Sequence, residues 1–269
     1  MSPHASTLTD TTGATDVSLV IPMLNEAENV REVHRRASAA LSNLRQWFEI
    51  VFVDDGSTDA TPQALRQLAD GDPRVRVVRL KENCGQHAAL MAGLRHARGA
   101  IVVTLDADMQ TPPSEIPALL AKLGDGFDVV FGVFAARHHP WHQRMTSALG
   151  HTLIERALGV PRGVHFSPFR ALRRSLVDRI VQFRGSPIQL EVLLAQHARS
   201  MGVVTVPHGP RYAGATKYGP RRRLRFVLNV IQALHAVRRE AQASASQYDV
   251  AERIGFDRDA LVTEFRIAG

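Results

Sequence analysis

Two pairs of aspartates set the chemistry open to this chain. Asp54 and Asp55 close the apolar run 48–53 and lead into Gly56-Ser57-Thr58-Asp59. Asp106 and Asp108 close the run 100–105 and lead into Met109 and Gln110. Open α/β sheets bind ligands at the carboxyl ends of their strands, which is where such carboxylates would lie. In an extended segment Asp106, Asp108 and Gln110 alternate onto one side. Two hard carboxylate oxygens and a neutral amide oxygen suit Mg²⁺ or Mn²⁺, whose other positions go to water and substrate phosphates. The cation can then carry a diphosphate. The plainer alternative is that these Asp side chains cap the turn that follows. One carboxylate of the Asp54-Asp55 pair could accept a hydrogen bond from a base N–H. Its alternative is an ordinary strand–turn–helix junction.

A third constellation is Arg211-Tyr212-Ala213-Gly214-Ala215-Thr216-Lys217-Tyr218-Gly219. Two cations, a hydroxyl and glycine-bearing backbone can close over a diphosphate and stabilise charge on a leaving group. Without partner motifs such a stretch is a solvated basic loop, but the two acidic clusters are partners. His87, in Asn83-Cys84-Gly85-Gln86-His87, is a phosphate donor, a base, or simply a helix-start residue. His138, His139 and His142 do not fall on one helical face, so a solvated loop or an interface patch fits them better than a metal site.

Positioning these residues takes alternating strands and helices. Strands are expected at Val17–Ile21, Phe48–Val53, Val75–Leu80, Ala100–Leu105, Asp128–Val133, Pro168–Leu172 and Val203–Val206. Helices are expected from an Asn25 cap to about Leu44, after a Thr58 or Asp59 cap, and over Gln86–Ala97, Glu115–Leu123, residues 142–158, Ser175–Phe183 and Pro187–Met201. The spacing implies an α/β fold with a mostly parallel central sheet flanked by helices. Leu224–Arg239 is expected to be an amphipathic helix. The tail from Ala241 begins with a small-residue hinge and is expected to end in a short helix.

Bulk properties narrow the class. The chain has 269 residues, 45% of them hydrophobic, enough for one large domain with an appendage. A net charge of +7 points to an anionic partner. Cys84 is the only cysteine, so there is no intrachain disulfide and no cysteine metal site. No apolar run approaches the roughly 20 residues of a membrane span. Residues 1–16 lack an apolar signal region and are expected to be a disordered leader. Nucleic acid is a poor fit, because the basic residues are not interleaved with stacking aromatics.

In order along the chain, Ile21-Pro22-Met23-Leu24-Asn25-Glu26, Val53 to Asp59, Asn83 to Gly93, Leu105 to Pro113, Phe169-Arg170-Ala171 and Arg211 to Tyr218 resemble the inverting family 2 glycosyltransferases. Within them the chain is most similar to the polyprenyl-phosphate glycosyltransferases, over about residues 17–235. The resemblance implies a GT-A nucleotide-sugar fold over residues 17–220, followed by a basic helix at 221–240 and a tail at 241–269. It implies that Pro22, Asn25, Glu26, Asp54 and Asp55 line the nucleotide pocket, with Asp54 on the base. Asp106, Asp108 and Gln110 would hold Mg²⁺ or Mn²⁺ on the donor diphosphate. Arg211 and Lys217 would clamp phosphates beside Thr216. Arg170 would sit near an acceptor phosphate, and Gln189 and Glu191 near the sugar or acceptor.

The implied reaction moves a sugar from a nucleotide-diphosphate donor, most simply UDP-linked, to a polyprenyl phosphate. Such an acceptor is already anionic and needs little general-base help. The alternative acceptor is a hydroxyl of a small metabolite or glycan, with Glu191 as base. Two departures bear on this choice. Relatives commonly carry Asp at the position of Val164, and they end in transmembrane helices, whereas no membrane span is expected within these 269 residues. Arg221-Arg222-Arg223 opens a helix suited to an anionic membrane surface, or else to packing on the domain or a homodimer interface. The expected location is the cytoplasm, peripheral to the inner face of the plasma membrane.

Overall fold

The computed structural model describes residues 16–44, 46–134, 158–184, 189–207 and 250–256. Its strands are β1 (Val17–Met23), β2 (Phe48–Asp54), β3 (Val75–Leu80), β4 (Ile101–Thr104), β5 (Val129–Phe134), β6 (Arg170–Arg173), β7 (Met201–Val206) and β8 (Val250–Ile254). Its helices are α1 (Ala27–Ser42), α2 (Thr61–Gly71), α3 (Gln86–His96), α4 (Ile116–Gly124), α5 (Arg174–Ile180) and α6 (Leu190–His197). A 3₁₀ turn at Pro113–Glu115 precedes α4.

The strands form one sheet in the order β7-β5-β6-β4-β1-β2-β3-β8. β1 pairs in parallel with both β2 and β4, β2 with β3, and β5 with β7. β6 runs antiparallel between β4 and β5, and β8 antiparallel along β3. Six strands therefore point one way, and their carboxyl ends share one edge.

The central strands read as continuous apolar runs because both of their faces are covered. Leu19, Ile21, Ile50 and Phe52 pack with Val30, Val33 and Leu41 of α1. Val20, Val51, Val53 and Val78 turn to the other face, against Leu90, Met91 and Leu94 of α3. Strand periodicity thus supplies both halves of the core. No helix among the described residues is long and apolar enough to cross a membrane.

Most expected elements are present, with ends moved by a few residues. Two expectations are corrected. Asn25 does not cap α1: it takes a left-handed conformation, φ 52°, and the helix starts two residues later. The Pro187–Met201 helix is shorter, because Met201 is drawn into β7 alongside Val129. The tail also adds a strand at 250–254, since β3 offers an open edge and Val77 to Leu80 pair with it; the short helix expected at the end of the tail lies outside the described residues. Arg66 of α2 fastens that strand through a two-pronged contact with Glu252 at 2.9 and 2.5 Å. The helices expected at 142–158 and 224–239 lie outside the described residues.

Candidate active site

The loops after β1 and β2 interlock. Asn25 N donates to Ser57 Oγ at 2.9 Å, and Thr58 N donates back to Asn25 Oδ1 at 2.9 Å. Glu26 N donates to Thr61 Oγ1 at 2.9 Å, while the Glu26 carboxylate accepts from Asn29 Nδ2 at 2.6 Å. Pro22 sits opposite Val53 in the β1–β2 register. Asp54 is fully buried. Its Oδ1 accepts from Ser57 N at 2.9 Å, and its Oδ2 faces Arg79 Nε at 3.1 Å. That second contact is an ion pair without hydrogen-bond alignment.

Asp55 turns the other way. Its Oδ1 accepts from Cys84 N at 2.8 Å and its Oδ2 from Gly85 N at 3.0 Å. Burial pushes this carboxyl up to about 6, against the pull of those two N–H groups, and neighbouring Asp54 adds to the rise. The native state then holds the proton more tightly than the unfolded chain. The group's contribution is complete below the unfolded value of 3.8 and is lost as pH rises through about 6. Asp72 behaves oppositely: Arg74 holds its carboxyl low, so its contribution is lost in acid. Asp55→Asn removes the first effect alone. Its stability relative to wild type should therefore rise between pH 4 and 7, by on the order of 2–3 kcal/mol. Urea unfolding at those two pH values measures this; a constant difference would contradict it.

β4 ends at Thr104, and the chain turns at Ala107-Asp108 instead of staying extended. The alternation expected for Asp106, Asp108 and Gln110 is thus replaced by a tight turn. Met109, buried at φ 55°, closes it, and Gln110 N donates to Asp108 Oδ1 at 3.0 Å. The turn-capping alternative holds for Asp108. Asp106 Oδ1 accepts from Gln86 Nε2 at 2.8 Å, which ties the turn to the start of α3. Among the described residues no three His, Cys, Asp or Glu side chains form a metal group. Two half-buried carboxylates on one turn suit a cation of the Mg²⁺ or Mn²⁺ kind, which takes one or two carboxylates and completes its shell with water and phosphate.

Behind this turn lies a buried ionic cluster. Arg170, at the start of β6, is 1% exposed. Its Nε donates to Thr104 Oγ1 at 3.3 Å, and Thr104 donates to the Pro168 carbonyl. Its Nη1 lies 3.6 Å from Glu191 Oε1 on α6, an ion pair too long for a hydrogen bond. Burial lowers the Arg170 guanidinium, while the charges of Glu191 and Asp106 oppose that fall. Burial would raise Glu191, but His87 and Arg170 together outweigh it and hold the carboxyl low. His87 Nδ1 is 3.4 Å from Glu191 Oε2 and 3.4 Å from Leu190 N. It can donate to the first or accept from the second, not both. Arg170 Nη1, Glu191 Oε2 and Gln189 Oε1 are buried and have no hydrogen-bond partner among the described residues. Buried polar atoms of this kind call for a further partner, which a ligand, an ion or water can supply.

Residues 18–181 match glycosyl transferase family 2. The chain belongs to that family. It is 40% identical over 217 residues to the undecaprenyl-phosphate 4-deoxy-4-formamido-L-arabinose transferase of Pseudomonas fluorescens strain Pf0-1, a match covering 80% of this chain and 64% of that one. The corresponding transferase of Pseudomonas aeruginosa strain LESB58 is 38% identical over the same shares. This chain spans about two thirds of the length of those relatives. Among solved structures, the glucosyl-3-phosphoglycerate synthase of Mycobacterium tuberculosis, in complex with Mn²⁺, UDP-glucose and phosphoglyceric acid, aligns with TM-score 0.59 at 23% identity, covering 87% of this chain and 82% of that one. The mannosyltransferase PcManGT of Pyrobaculum calidifontis, in complex with GDP-Man and Mn²⁺, aligns with TM-score 0.56 at 23% identity, covering 87% and 67%. These likenesses carry the fold, which is GT-A.

In this family 2 chain the residues expected at the site fall into two described groups. Pro22, Asn25, Glu26 and Asp54 lie along the β1 and β2 ends. Asp106, Asp108, Gln110, Arg170, Gln189 and Glu191 lie along the β4, β6 and α6 ends. Arg211, Thr216, Lys217 and the basic helix fall outside the described residues. Val206 and Val250, which flank that segment, both lie at the carboxyl edge, beside Phe134 and Leu80. Val164 is buried in the apolar core. Sequence reasoning missed Arg79 and Gln86 as partners of Asp54 and Asp106, and Thr104 as a partner of Arg170. For Gln86 the signal was present in the Gly-Gln-His run at the start of α3.

Proposed function

We propose that this chain transfers a sugar from a nucleotide-diphosphate donor to a polyprenyl phosphate, inverting the anomeric centre. One observation carries the reading: the Asp106–Asp108 turn stands at the carboxyl edge with a buried Arg170–Glu191 pair and unsatisfied polar atoms behind it. The relatives' names supply the acceptor class, and the complexes of the solved neighbours supply the donor class and the metal.

Pro22, Asn25 and Glu26 form one wall for the nucleotide, with Asp54 beneath the base. Asp106, Asp108 and Gln110 would hold Mg²⁺ or Mn²⁺, which supplies countercharge to the donor diphosphate. Arg211 and Lys217, with Thr216, clamp the phosphates and stabilise the departing nucleoside diphosphate. The acceptor oxygen attacks the anomeric carbon from the face opposite the leaving group. The new C–O bond forms as the bond to the diphosphate oxygen breaks, and that oxygen keeps the electron pair. Arg170 supplies buried positive potential on the acceptor side. Glu191 is held ionised with a low proton affinity, so it is a weak general base. That favours an acceptor that is already an anion over a hydroxyl. Peripheral contact with an anionic membrane through Arg221, Arg222 and Arg223 belongs to the same proposal.

A thermal-shift screen of UDP-, GDP- and dTDP-sugars with Mn²⁺ tests the reading. One donor at about 100 times its Kd should add about 2.7 kcal/mol, and so raise the unfolding temperature by several degrees. No shift with any donor would overturn the proposal.

A further inference from the structure

Asp55 stands next to the candidate nucleotide wall but does not face it. It is 3% exposed, and both its oxygens are spent on the backbone N–H groups of Cys84 and Gly85. Gly85 closes the corner before α3 at φ 91° and ψ 159°, a region essentially reserved for glycine. Its N–H is shared with Asn83 Oδ1 at 3.1 Å, so the corner is held from both sides. The β2–α2 corner presses on the same loop: a Cβ on Gly56 would lie 2.5 Å from the Glu82 carbonyl carbon.

The first two residues after that corner point to two different parts of the site. Gln86 reaches Asp106 at 2.8 Å, and His87 reaches Glu191 at 3.4 Å. A tilt of the helix start would move both contacts together. We infer that Asp55 is a positioning residue: its carboxylate fixes the Gly85 corner, and through it holds Gln86 on the metal-binding turn and His87 beside Glu191. The inference rests on the transferase reading and changes the part Asp55 plays in it. Asp55 organises the reacting side of the site from the nucleotide side, without touching the nucleotide.

Two variants test this from opposite ends. Asp55→Asn replaces one acceptor oxygen by an amide N–H that opposes a backbone N–H. Gly85→Ala leaves Asp55 intact and strains only the backbone, because a Cβ there would meet nothing within 4 Å. Displacements of about 1 Å cost up to about a hundredfold in rate. Both variants should therefore lose about 10- to 100-fold in kcat, while the Kd for UDP, GDP or dTDP with MnCl₂, whichever wild type binds, stays within about threefold. Should Asp55→Asn fail to fold, Gly85→Ala decides alone. Weakened nucleotide affinity with kcat intact would make Asp55 a ligand contact and overturn the inference, as would equal losses in both or an unchanged kcat. Wild-type protein that binds none of the three nucleotides would sink the transferase reading, and this inference with it. Wild type that binds and turns over donor isolates the failure to Asp55.

Discussion

Asp108→Ala should lower sugar transfer about a thousandfold and leave the unfolding temperature within about 2 °C of wild type. The asymmetry follows from where the side chain sits. Asp108 is half-buried, and its carboxylate caps the Gln110 N–H, a local contact whose loss costs about 1 kcal/mol. The larger effect comes from the charge. A diphosphate leaving group gathers negative charge as the glycosidic bond breaks, and the Asp108 carboxylate is proposed to help anchor the cation that offsets it. Transfer assayed with saturating donor and Mn²⁺, beside a calorimetric scan, checks both halves. A variant with near wild-type turnover would show that the turn does not hold the metal.

Arg170→Met should act on stability as strongly as Asp108→Ala acts on rate. The guanidinium is buried against Thr104 and Glu191. Removing it leaves the Glu191 carboxylate with only the His87 imidazole beside it as an ion-pair partner among the described residues, and brings Asp106 under less compensation. An uncompensated buried charge costs about 3–5 kcal/mol. For a domain of this size that lowers the unfolding temperature by roughly 10 °C. Adding Glu191→Gln removes the stranded charge, so the double variant should recover about half of the loss. Differential scanning calorimetry of the two variants measures this. A drop of less than about 2 °C for Arg170→Met would mean that the pair is too loosely coupled to matter.

Much of the frame was legible in the sequence because the central strands are buried on both faces. Leu19 to Met23 and Ile50 to Val53 are apolar runs that lead into polar residues, so strand identity and the edge carrying the carboxylates could be read together. The local geometry at that edge was less legible. Asp106, Asp108 and Gln110 have the spacing of an extended strand, but Met109 takes a left-handed conformation and turns the chain, a preference its residue type does not advertise. Asn25 was misjudged for a related reason. Its side chain is bound to Thr58, 33 residues away, and such a long-range tie overrides a local capping signal.

Partnerships between distant segments were the least accessible. Asp55 followed Asp54 in sequence and was grouped with it, yet one faces Arg79 and the other the Gly85 corner. Adjacent strand residues point to opposite faces, so two neighbouring aspartates could not share one task. The β8 strand was hidden because Val250 to Ile254 alternates polar and apolar residues weakly. Only the open edge of β3 and the Arg66–Glu252 contact give it a place.

The most direct measurement is anomalous diffraction from crystals grown with Mn²⁺ and UDP. A manganese peak at about 2.1–2.3 Å from Asp106 or Asp108 oxygens, bridging to the diphosphate, is the predicted result. Nucleotide bound in the crevice with no manganese at that turn would contradict the account.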